Sequence, residues 1–94
     1  MRNDTVSSPA RKRYFYLEAV MDYPVIDPVG TGINIKNLIK GSGKTVTEMC
    51  RMLMLSDKST MYKWFRGETL PGIDNMFALS VLLGVTINDI IVSK

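Results

Sequence analysis

Thr45-Val46-Thr47-Glu48-Met49-Cys50-Arg51-Met52-Leu53-Met54-Leu55-Ser56-Asp57-Lys58-Ser59-Thr60-Met61-Tyr62-Lys63-Trp64-Phe65 is the stretch on which the fold turns. Thr45 and Glu48 stand at capping-box spacing, and Val46, Met49, Cys50 and Leu53 follow at i, i+3, i+4 and i+7, which predicts a helix with one apolar face. Ser56 is the expected N-cap of a second helix through Met61, Trp64 and Phe65, and Gly67 is expected to end it in a left-handed cap. Only Met54-Leu55-Ser56 is expected to separate the two. A connection that short suits helices crossing steeply, not an antiparallel hairpin. Met61 and Trp64, three apart, are expected to pack inward, which turns Lys58, Ser59, Tyr62 and Lys63 outward.

Working outward, a preceding helix is expected from a Thr31 N-cap through Ile35, Leu38 and Ile39 to the stop at Gly41-Ser42-Gly43. Pro71-Gly72 marks another start, and Ile73, Phe77, Ser80, Val81 and Leu83 continue to a stop at Gly84. Thr86 and Asp89 cap a short last helix carrying Ile87, Ile90 and Ile91. The result is an all-α domain of five short helices. Pro24 and Pro28 push the residues before them out of the helical region, so residues 22–31 read as an extended lead-in. Residues 1–13 are polar and basic, Tyr14 to Val20 is aromatic and apolar, and Met21 offers an alternative start. The chain is therefore divided into a flexible N-terminal extension, 1–21, and a domain, 22–94.

A length of 94 residues permits one hydrophobic core. The net charge of +3 permits a polyanionic partner, although two thirds of that excess belongs to residues 1–21. One cysteine and no histidine leave no intramolecular disulfide and none of the usual zinc-ligand sets, and no apolar run is long enough to cross a bilayer. These features suggest a cytoplasmic protein without membrane association. Gly41-Ser42-Gly43-Lys44-Thr45 looks like the end of a phosphate loop, but an expected helix precedes it where that loop needs a strand. No constellation of nucleophile, base and carboxylate supports catalysis, so neither an enzyme nor a cofactor or metal site is expected.

Through Gly43-Lys44-Thr45, Leu53, Ser56, Thr60-Met61-Tyr62-Lys63-Trp64, Gly67, Pro71 and Leu82-Leu83-Gly84-Val85, about residues 33–92 resemble the phage Cro and repressor-type (XRE-like) helix-turn-helix family. The resemblance implies a sequence-specific DNA-binding regulator, in the first place a repressor, whose recognition helix around Ser59 to Phe65 reads the major groove. Carried over by position, base contacts fall to Lys58, Ser59 and Lys63. Tyr62 and Arg66 suit the backbone or groove edge, with Lys36, Lys40, Lys44 and Thr45 placed beside it. The chain departs from the family in three places. It has one extra residue at Asp57-Lys58-Ser59, which is expected to displace the first turn of the recognition helix; Val46 stands where glutamine is common; and Glu68-Thr69 stand where basic residues are frequent.

The resemblance also implies a homodimer on double-stranded DNA. Ile87, Ile90, Ile91 and Val92 are the candidate pairing surface, with closure of the core as the alternative role for the same residues. The five methionines Met49, Met52, Met54, Met61 and Met76 read as core or gap fillers, and Cys50 as a small buried hydrophobe. The rival reading is a protein-interaction module, an antitoxin or adaptor on the same fold, with a protein partner bound through the N-terminal extension.

Overall fold

The computed structural model describes residues 23–94, and the expected extension at 1–21 lies outside the described residues. Five helices follow in order: α1 Pro28–Gly41, α2 Val46–Met52, α3 Ser59–Phe65, α4 Ile73–Leu83 and α5 Ile87–Ile90. All five elements anticipated from the sequence are present, and their boundaries differ in instructive ways.

α1 starts three residues before Thr31. Asp27 is its N-cap, with extended backbone and an Oδ1 that accepts the Gly30 N–H at 3.0 Å, and Pro28 occupies the first turn. A proline there loses no helical hydrogen bond, and its fixed φ suits the helix, so Pro28 begins the helix instead of prolonging the lead-in. Thr31 is thereby moved inside the helix, where it is fully buried. Its hydroxyl accepts the Val92 N–H at 2.9 Å, and the Asp27 N–H donates to the Val92 carbonyl at 2.7 Å. Ile26 forms an antiparallel bridge with Ser93, so the lead-in is sewn to the last residues of the domain.

α2 has the anticipated capping box between Thr45 and Glu48. Its end is unusual. Leu53 is the C-cap, Met54 has φ 58°, the Met54 N–H reaches the Arg51 carbonyl and the Leu55 N–H reaches that of Cys50. That is the double bond of a Schellman ending, with methionine where glycine is favoured. The same pattern closes α3 at Gly67 and α4 at Gly84, where the left-handed residue is glycine.

α3 begins at Ser59, so the sequence reading of Ser56 as N-cap is corrected. The Asp57 carboxylate accepts the Ser59 N–H at 2.9 Å, an Asx-type turn that satisfies one free donor of the first turn. The connection between α2 and α3 consequently comprises residues 53–58, longer than the expected three-residue turn.

α4 buries Met76, Leu79 and Ser80, while Ile73, Phe77 and Val81 face outward. The side anticipated from Ile73, Phe77 and Val81 is thus the outer one. Ser80 is tolerated inside because its hydroxyl donates to the Phe77 carbonyl at 2.6 Å. α5 has the anticipated Thr86 and Asp89 capping box, and the Asn34 amide of α1 donates to the carbonyls of Asp89 and Ile90 at its other end.

The core gathers Ile35 and Ile39 of α1, Met49, Cys50 and Leu53 around α2, Met61 and Trp64 of α3, Met76 and Leu79 of α4, and Ile90 of α5. Met52 and Met54 are not gap fillers, being exposed at 42% and 90%. Among the described residues, α1 and α3 pack most intimately because two glycines bring backbone to backbone. A β-carbon on Gly32 would overlap the Trp64 carbonyl oxygen, and one on Gly67 would meet the Val29 backbone.

Candidate nucleic-acid interface

The packing of α3 sets what it shows to solvent. Met61 and Trp64 are 0% and 3% exposed, so Ser59 and Lys63, one turn apart on the opposite face, project outward. Lys58 precedes them at the N-cap, and its ammonium donates to the Thr47 hydroxyl at 3.3 Å, linking the start of α3 to α2 across their outer seam. Tyr62 is exposed and holds its ring edge-on to Phe65, with centroids 5.7 Å apart. Asp57, one residue before the Lys58 N-cap, has its carboxyl pKa held below the usual value. The main cause is the Ser59 N–H, and the positive charge of Lys63 adds to it.

The residues anticipated beside the backbone lie on α1, at the entry to α2 and at the end of α3. Gly32, Lys36 and Lys40 follow at intervals of four on α1; Gly32 abuts the Trp64 and Phe65 carbonyls, and Lys36 and Lys40 are exposed. Lys44 is partly buried and precedes the cap of α2. The Thr45 hydroxyl oxygen accepts the Glu48 N–H at 3.1 Å, and the Thr45 N–H donates to Glu48 Oε1 at 2.8 Å. Arg66 is engaged differently, because its Nε donates to Glu68 Oε2 at 2.5 Å across the Gly67 turn. That bond lowers the Glu68 pKa and raises that of Arg66. The pairing escaped the sequence reading, although two opposite charges flanking a left-handed glycine were its signal.

The four residues considered for pairing two copies separate. Ile90 is fully enclosed and belongs to the core, which removes it from any surface, while Ile87, Ile91 and Val92 are partly buried. The Val92 backbone is committed to Asp27 and Thr31 within the chain.

A helix-turn-helix family profile matches residues 35–90, from one fully buried isoleucine of the core to another and across more than half of the chain. The chain belongs to the repressor-type (XRE-like) helix-turn-helix family. No curated protein and no solved structure matches it. In this DNA-binding helix-turn-helix protein, α2 and α3 are consecutive helices within the matched residues, and α1, α4 and α5 share one core with them. The helix-turn-helix match leaves out the Asp27 cap and the Ile26–Ser93 bridge, which lie at the outer ends of the domain. Among the described residues, no helix is long and apolar enough to cross a membrane.

Proposed function

We propose that this helix-turn-helix protein is a sequence-specific transcriptional regulator that represses by occupying its site, with α3 laid in the major groove. Residues 22–94 are the DNA-binding unit and act in the cytoplasm. Lys58, Ser59 and Lys63 meet base edges, where lysine donates to guanine acceptors and a hydroxyl pairs with donors or acceptors. Tyr62, Arg66, Lys36, Lys40, Lys44 and Thr45 meet the sugar-phosphate backbone and set the register. A homodimer places two such helices on half-sites about one helical turn apart.

The observation that carries this reading is the outward projection of Ser59 and Lys63 on a helix anchored from behind by Met61 and Trp64. Selection of bound duplexes from a random pool, followed by titration of the winner over a range of salt, tests it. An enriched motif whose affinity falls linearly on a log-log salt plot is expected. Absence of enrichment, with equal affinity for all duplexes, would overturn it. Glu68 favours the second reading, a protein-interaction module, because it holds Arg66 and adds negative charge where phosphate would lie. A protein that shifts no duplex at low salt would be that module.

A further inference from the structure

We propose that the outer face of α4, together with the apolar cavity beside it, is where two copies of this chain pair. The inference deepens the DNA-binding reading and rests on it for the purpose of pairing. Ile73, Phe77 and Val81 lie at i, i+4 and i+8 and are 82%, 62% and 63% exposed. A surface helix ordinarily has one apolar stripe, and α4 has two, since Met76 and Leu79 already fill the inner one. Next to this stripe is a cavity of about 190 Å³, lined by Leu70, Pro71, Met76, Ile87 and Ile91 and sharing Ile73 with the stripe. An apolar cavity of about 150 Å³ takes a benzene-sized guest, so this one admits a phenylalanine ring.

The occupant follows from the knob and hole standing on one face. Phe77 is exposed one helical turn after Ile73, and Ile73 lines the cavity. In a two-fold dimer the same patch must be both donor and receiver, and a face with a protruding ring beside a ring-sized hole meets that condition with a second copy of itself. Charge points the same way. Asp74 is the sole charged residue of α4, so two such faces meet without opposing rows of like charge. The exposed parts of Ile26, Leu70, Ile73, Phe77 and Val81 amount to roughly 500 Å² of apolar surface per copy, within the size of patches that are functional on monomers. Twice that area sits at the lower end for specific interfaces, so pairing is weak in free solution and strengthened when both copies share one duplex.

Sedimentation velocity on the full chain, from low to high micromolar concentration, tests the proposal with Phe77→Glu and Val81→Lys as variants and thermal melts as the folding control. The parent chain is expected to shift from monomer to dimer as concentration rises. Both variants should pair at least about tenfold more weakly while keeping the parent melting temperature and the parent affinity for a single half-site. If Phe77→Glu also lowers the melting temperature, Val81→Lys alone decides. A parent chain that stays monomeric, or variants that pair as tightly as the parent, would overturn the proposal. Pairing without binding to any duplex would sink the DNA reading and leave the interface standing, whereas duplex binding by a strict monomer would do the reverse.

Discussion

Gly32 of α1 lies against the carbonyl of Trp64 so closely that the two backbones touch, and no side chain of any size fits between them. Three neighbouring facts make the contact rigid: Trp64 is buried, the Phe65 carbonyl is 2.9 Å from the same β-position, and Gly67 repeats the arrangement against Val29. The orientation of α3, and hence of Ser59 and Lys63, is set at this crossing.

Gly32→Ala is therefore expected to destabilise the domain despite alanine's better helix propensity. Overpacking costs about 1 to 3 kcal/mol where side chains can yield, and here the obstacle is backbone, so the loss should reach at least the upper figure. A chemical denaturation midpoint equal to that of the parent would show that α1 can slide away from α3.

Met54→Gly should act in the opposite direction. Met54 is 90% exposed and holds φ 58°, a conformation that costs a residue with a β-carbon about 1 to 2 kcal/mol. Glycine removes that cost and gives up no packing, although it loosens the unfolded chain. A net gain of about 1 kcal/mol, read as a melting temperature several degrees higher, is expected.

Much of the fold could be read from residues whose chemistry has one meaning. Gly67 and Gly84 announced the ends of α3 and α4, and Thr45 with Glu48, like Thr86 with Asp89, announced starts. Where a residue has two meanings, reading failed. Pro28 can break a helix or begin one, and the Asp27 side chain decided between them. Both sides of α4 are apolar, so hydropathy could not choose and put Ile73, Phe77 and Val81 with Ser80, of which Ser80 alone is buried, its hydroxyl satisfied by its own helix. Met54 performs a glycine's task and carries no mark of it. For the candidate interface, Met61 and Trp64 at a spacing of three indicated which way Lys63 points, whereas the bond from Arg66 to Glu68 depends on a left-handed turn that composition does not display.

Lys63→Ala separates base reading from backbone positioning. On the best duplex it should lose roughly 1 to 3 kcal/mol and relax preference at one base pair, the signature of a missing edge contact. Unchanged affinity and unchanged base preference, measured by fluorescence anisotropy on a set of single-pair variants, would remove α3 from the groove.

Glu68→Gln should strengthen DNA binding. It releases Arg66 from an ion pair and removes a negative charge from beside the phosphates, so affinity should rise several-fold at low salt, with a salt slope steeper by about one counterion. Adding Arg66→Ala should cancel the gain across all sequences. A single variant that binds no better than the parent would place Arg66 and Glu68 away from the duplex.

Acid should loosen the domain through its caps. The Thr45 N–H lowers the Glu48 pKa, the Thr86 N–H lowers that of Asp89, and the Ser59 N–H lowers that of Asp57. Each depressed carboxylate contributes stability present above its unfolded value, 4.5 for Glu and 3.8 for Asp, and lost as pH falls through the lower folded one. Melting temperature should thus drop on acidification below about pH 4.5, and Asp89→Asn should flatten the slope. A flat profile down to pH 3 in the parent would show that these bonds form equally in the unfolded chain.

The bonds that α1 makes with residues 89–92 bear on how the protein is born. The Asp27 N–H, the Thr31 hydroxyl and the Asn34 amide all have their partners there, 55 to 65 positions later in the chain. While translation is under way, α1 leaves the ribosome before the partners of these groups exist, and α3 emerges before the brace that orients it is complete. A chain cut before residue 89 consequently lacks every one of these partners, and in such a fragment the brace behind α3 is incomplete.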